Sequence, residues 1–236
     1  MVTAMLVLAR CAGFVFRAPG FSHPAVPSAL RVGFAVLLAA AIAPNLSAPP
    51  LHGTGAYLAG MALEFLTGSA AGMTASLLYD AAYAGGRLID DYVGVKAIAP
   101  SLQLVAPSGF GRVWSLALTG AFFLSGAYRL VLSAFAQSFV VIPLGLTVHT
   151  IELRAFASYF GSLFWQLALQ IAAPAIASAL TVQIAVGAIS RVVPRFGSFT
   201  LAFPLAFAAA LLASTIAVPF VLRRVPAPIV VLPMLP

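Results

Sequence analysis

The stretch that decides the fold is VWSLALTGAFFLSGAYRLVLSAFAQSFVVIPLGL, residues 113–146. It runs for 34 residues with one charge, Arg129. A bilayer crossing takes only about 20 residues, so one straight span does not account for it. Ser125-Gly126, just before Arg129, is the natural place for a bend, and Pro143 and Gly145 close the run. The segment therefore predicts a helical hairpin or bent pair broken by small residues.

The same punctuation recurs outward in both directions. Ala84–Arg112 is the most polar stretch, with Arg87, Asp90, Asp91, Lys96 and Arg112. It is expected to begin as helix and end as a loop over Ile98–Arg112, which contains Pro100, Pro107, Gly109 and Gly111. Gly55–Tyr83 precedes it and holds Glu64 and Asp80. Its Gly68–Gly72 step allows close helix approach. Leu30–Ala43 is ended by Pro44 and Pro49-Pro50, and Val2–Phe16 carries Arg10. The connector Arg17–Ser28 has three prolines, which fix φ and remove donors. Toward the C-terminus come the connector Leu146–Arg154, a long run Ala155–Ile189, the basic turn Ser190–Ser198 and a last run Phe199–Leu222. Pro174, inside the long run, is expected to kink its helix. The expected fold is all-α: one polytopic membrane-type domain over 1–236, built of kinked, Gly/Pro-broken helical hairpins.

Composition supports this. The chain is 62% hydrophobic and 7% charged, against about 45–50% and 25% in a soluble domain. Seventeen charged side chains, 12 basic and 5 acidic, cannot cover a solvated surface. The mean hydropathy is +1.08. A soluble globular enzyme, a disordered chain and a solvated repeat array are excluded. The net charge is +7, but the basic residues are dispersed singly among apolar runs. That pattern fits arginines anchoring loops at anionic headgroups and speaks against nucleic acid.

Little in the chain suggests chemistry. Cys11 is the single cysteine, so no internal disulfide or thiolate cluster forms. His23, His52 and His149 are far apart, without metal-ligand spacing. There is no GxSxG, GxxxxGK[ST] or GxGxxG, so neither a nucleophile elbow nor a phosphate cradle is present. No catalytic, cofactor or metal site is expected. No cleavable signal peptide is read in the first run, which is expected to act as an uncleaved anchor. Glu64 is the exception that needs an account, with no charge within fifteen residues on either side. An ionisable group inside an apolar span is by default functional. A structural or assembly contact is the first reading and a proton or ion role the second. Asp80 with Arg87 reads as a satisfied ion pair.

The positive-inside rule does not close. Connectors 17–31, 84–112 and 190–198 are basic and 44–56 has no formal charge, yet the Arg223-Arg224 tail then falls on the wrong side. The mismatch is expected if some hydrophobic runs are hairpins packed on partner proteins.

Ala84-Gly85-Gly86-Arg87-Leu88-Ile89-Asp90, followed by Gly94, resembles the AG-x-x-ID…G segment of the FliR/SctT family of bacterial flagellar and type III secretion export proteins. Arg10, Pro19, Pro27 and Arg31 resemble its N-terminal pattern, and Glu64 with Gly68 its E-x-x-x-G. Ser138-Phe139…Pro143-Leu144-Gly145 is similar to its SF-x-x-x-P-x-G. Pro174, Gly187, Ser190-Arg191, Pro194 and Phe203-Pro204 follow in family order. Departures are Tyr92 for a usual glutamine, Ala99 before Pro100, Gly197 for an asparagine, and no lysine after Phe203-Pro204.

The resemblance implies a pore and gate component of a bacterial export apparatus, without enzymatic activity or cofactor. It implies assembly with P/R-type and Q/S-type membrane subunits and the large B/U-type subunit, and passage of unfolded substrates. It places the protein in the inner membrane, with helices partly above the membrane plane. It puts a pore-closing plug at Ile98, Pro100, Leu102, Leu104, Val105, Pro107, Gly109, Phe110 and Gly111. Arg10, Arg31, Glu64, Asp90 and Arg191 are the expected assembly contacts. The residues alone leave open a small secondary transporter with Glu64 as its intramembrane carboxylate. A membrane-embedded enzyme lacks a nucleophile constellation.

Overall fold

The computed structural model describes residues 2–22, 26–47, 53–94, 109–145, 153–193 and 199–222. These contain seven α-helices and no strand: α1 Val2–Arg17, α2 Ser28–Ile42, α3 Thr54–Val93, α4 Gly109–Leu124, α5 Ala127–Val141, α6 Leu153–Val192 and α7 Phe199–Leu222. A single 3₁₀ turn, Ala43–Asn45, extends α2. The protein is thus an all-α chain of membrane type. Ser28–Asn45, Thr54–Val93 and Ala157–Val192 are long and apolar enough to cross a bilayer, and α4 with α5 passes that test as a broken pair.

The breaks fall where backbone chemistry demands them. Gly126 has φ of 74°, a left-handed conformation that costs a side-chain-bearing residue, and it separates α4 from α5. Gly94, at φ 83°, ends α3, and its amide donates to the Asp90 carbonyl at 3.1 Å. Pro143 and Gly145 follow the end of α5. The polar stretch begins as helix, as expected, because α3 continues through Ala84 to Val93.

Two local readings change. Residues 109–112, read as the end of a loop, form the first turn of α4. Ser190 and Arg191 lie in the last turn of α6 rather than in a turn. Pro174 sits inside a 40-residue α6 that persists as one element. Its missing amide removes one rung of the helix without ending it. At about 1.5 Å per residue, the 40-residue helices α3 and α6 are about 60 Å long, twice a hydrocarbon core.

The chain forms two compact units. The first takes in Met1–Leu77 and Gly126–Phe160. Its core joins α1 (Leu6, Val7, Cys11, Phe14, Val15) to Ala35 and Ala39 of α2 and to Phe135 and Phe139 of α5. Phe14 stacks on Phe135 at 4.1 Å, and Phe21 on Phe34 at 4.5 Å. Helix α1 runs against α3 with almost no side chain between them. A Cβ on Gly68 would collide with the Arg10 carbonyl, and one on Gly72 would lie 2.7 Å from that of Phe14. Such backbone approach lets dispersion act between main chains, as small residues do in membrane bundles.

The second unit takes in Leu78–Ser125 and Gly161–Ala227. Ala168, Ala172, Ala175 and Ala179 of α6 are fully buried at helical spacing. Ala206 and Ala210 of α7 are buried with Ala172, Ala175 and Ala179 in the core that holds Ile89, Val93 and Phe110. Ser178 adds a hydrogen bond to the Ala209 carbonyl at 3.2 Å.

Candidate functional site

The first unit contains a buried charged centre. Arg10 comes from α1 and Glu64 from α3, and both are at most 3% exposed. Arg10 Nε donates to Glu64 Oε2 at 2.5 Å. Arg10 Nη1 donates to the carbonyls of Ile142 (2.9 Å) and Ser138 (3.2 Å). The second carboxylate oxygen, Oε1, accepts the Gly145 amide at 2.9 Å. The guanidinium carbon lies 4.5 Å from the centroid of the Phe139 ring, within cation–π range.

The geometry has a local cause. Helix α5 ends at Val141: the Ser138 carbonyl still accepts the Ile142 amide at 2.9 Å, and the carbonyls after it lie past the helix ladder. In an apolar interior each such group is costly to leave unmet. Arg10 supplies donors there, and its positive charge complements the negative end of the helix dipole. Glu64 neutralises Arg10 and also takes the amide of the turn after Pro143. One ion pair thus ties α1, α3 and the end of α5 together. Removing either member of a buried pair with these partners would strand the other.

The second unit holds a different arrangement around Asp90, which is 1% exposed. Asp90 Oδ1 accepts the Phe110 amide at 3.3 Å, in the first turn of α4. One turn earlier on α3, a Cβ on Gly86 would collide with the backbone of Gly111. A Cβ on Gly85 would lie 2.6 Å from the Ala168 carbonyl of α6. The Gly-Gly pair and Asp90 of the polar motif are therefore helix-contact residues.

Of the expected plug, Ile98, Pro100, Leu102, Leu104, Val105 and Pro107 lie outside the described residues. Gly109, Phe110 and Gly111 are helical, which corrects their assignment to the loop. Phe110 is buried in the core of its unit, 5.4 Å from Phe207, because the Asp90 acceptor and the Gly86 contact draw the first turn of α4 inward. Among the expected assembly contacts, Arg10, Glu64 and Asp90 are buried within the chain. Arg31 is half-buried on α2, and Arg191 is exposed at the end of α6. Asp80 and Arg87 are both exposed on α3. The described residues contain no group of three or more His, Cys, Asp or Glu able to hold a metal ion.

Sequence reasoning missed that Ser138, Phe139, Ile142 and Gly145 surround Arg10 and Glu64. They lie up to 135 residues from Arg10, so no spacing rule connects them. The one available signal was that Ser138, Phe139 and Gly145 belong to the ordered family pattern.

The family model described as Bacterial export proteins, family 1, matches residues 1–228. This is the FliR/SctT family whose motifs the sequence resembles. No curated protein matches the chain as a relative.

Proposed function

The chain belongs to the bacterial export proteins, family 1, and on that premise we propose that it is a structural pore and gate component of a type III export apparatus. It is a component of a bacterial protein export apparatus and a multi-pass membrane protein by family and helix content. The finer reading is that it assembles in the inner membrane with P/R-type, Q/S-type and B/U-type subunits. Unfolded substrates then pass along the assembly, and the chain itself catalyses nothing.

The observation that carries this reading is the satisfied Arg10–Glu64 centre. A carboxylate that ferries protons or ions must change partners. Here Glu64 is bound on both oxygens, which removes the main support for a transporter. Two further features support assembly. Large apolar side chains stand exposed along most helices, such as Leu37, Leu124, Val140 and Ile216. Two helices are about twice as long as the hydrocarbon core, which suits packing on partner subunits beyond the membrane plane.

The gate is assigned to the connection between α3 and α4, whose apolar residues would exclude water from a narrow lumen by dewetting. The test is deletion of Ser101–Pro107 in cells carrying the full apparatus. The complex should still form while the membrane becomes leaky to small ions and metabolites. Unchanged permeability with an intact complex would reduce the segment to a surface connector.

A further inference from the structure

We propose that Asp90 is a positioning residue that locks the first turn of α4 onto the end of α3. The inference rests on the gate reading and deepens it, because α3 and α4 are the two stems of that connection.

The lock has two points on one face of α3. Gly86 and Asp90 are one turn apart, so they present to the same side. At Gly86 the contact is steric: the backbone of Gly111 lies so close that no Cβ fits. At Asp90 it is a hydrogen bond, Oδ1 to the Phe110 amide at 3.3 Å. That amide is one of the first four of α4, which have no acceptor inside their own helix. A carboxylate there also complements the positive end of the α4 dipole. The same residue serves the other stem through its backbone, since the Asp90 carbonyl accepts the Gly94 amide that ends α3. Asp90 thus ties off both stems, one with its main chain and one with its side chain.

Two points define more than one does. A single contact would let α4 pivot on α3. With both, α4 cannot slide or rotate at its start without losing the hydrogen bond or forcing a clash. Phe110 is then fixed against Phe207 and the alanines of its unit. The start of α4 and the end of α3 are held to each other by this contact.

The test uses the assembled complex in cells and after mild extraction. The variants are Asp90→Ala, Asp90→Asn and Gly86→Ala, with hydrogen exchange read on a peptide covering residues 109–113. Asp90→Ala should assemble, exchange in the first turn of α4 about tenfold faster, and leak small ions. Asp90→Asn keeps the Oδ1 acceptor and should restore both readouts toward wild type. Gly86→Ala should leak with Asp90 still present. Wild-type exchange in Asp90→Ala overturns the lock. So does equal loss of the complex in Asp90→Ala and Asp90→Asn, which would make the residue an assembly contact. If the Ser101–Pro107 deletion leaks while Asp90→Ala and Gly86→Ala stay tight, the lock is wrong and the gate reading survives. If the deletion itself stays tight, the gate reading fails, and the exchange rate still decides the lock.

Discussion

Both units bring helices together through small residues, and they differ in where they place their buried charge. In the first, a buried ion pair gathers three segments, and one of them is a helix end with carbonyls to satisfy. In the second, glycine and alanine bring intact helices into contact, and the one buried carboxylate serves a helix start. The difference teaches where an apolar chain places its few charges. A helix in mid-course satisfies its own backbone, so small residues suffice between two such helices. A broken helix exposes unpaired donors or acceptors, and a charge is worth its desolvation only there. Arg10 and Asp90 follow the same rule with opposite sign: the cation at a helix C-terminus, the anion at an N-terminus.

The contrast can be broken most severely at the charge. Arg10→Ala strands Glu64 in an apolar core and should cost about 3–5 kcal/mol. The double variant Arg10→Met with Glu64→Leu removes the stranded charge, though it takes the Arg10 donor from the Ile142 carbonyl. It should be milder than Arg10→Ala, read as the temperature at which the extracted complex aggregates. If the double variant is the worse of the two, the Ile142 carbonyl rather than the ion pair dominates the site.

Close packing comes next. Gly68→Ala pushes a methyl group into the Arg10 carbonyl and should cost about 1–3 kcal/mol. Gly33, on α2 of the same unit, has nothing within 4 Å of the position of a Cβ. Gly33→Ala should therefore stabilise the chain by about 0.5–1 kcal/mol through its helix propensity. Two glycine variants of opposite sign, measured on the same melting assay, would establish that only one is a contact. Gly126→Ala should cost about 1–2 kcal/mol, since the new residue must hold a left-handed conformation. A null result there would mean that the break between α4 and α5 is set by something other than the glycine.

How much of this was legible follows the same physics. Helix α7 was read at its observed limits, Phe199–Leu222, because hydrophobic runs and their breakers are local signals. The bend at Ser125-Gly126 was legible for the same reason. The start of α4 was not, because its first turn has Gly109 and Gly111, which ordinarily mark loops. That turn is helical through a contact with Asp90 and Gly86, some 20 residues back. The isolation of Glu64 correctly flagged it as needing a partner. The identity of that partner, Arg10, and of the α5 carbonyls behind it, depends on tertiary contacts that no local pattern encodes.

The central claim is that Glu64 holds the molecule together rather than carrying protons. Native-gel analysis of the export complex from cells expressing Glu64→Ala, alongside an export assay, tests it most directly. The complex should be lost or sharply reduced, with export falling in parallel, and Glu64→Gln should retain more of both because it keeps an acceptor for Arg10. A complex at wild-type level with export abolished would contradict the account and make Glu64 a conducting or proton-relay group.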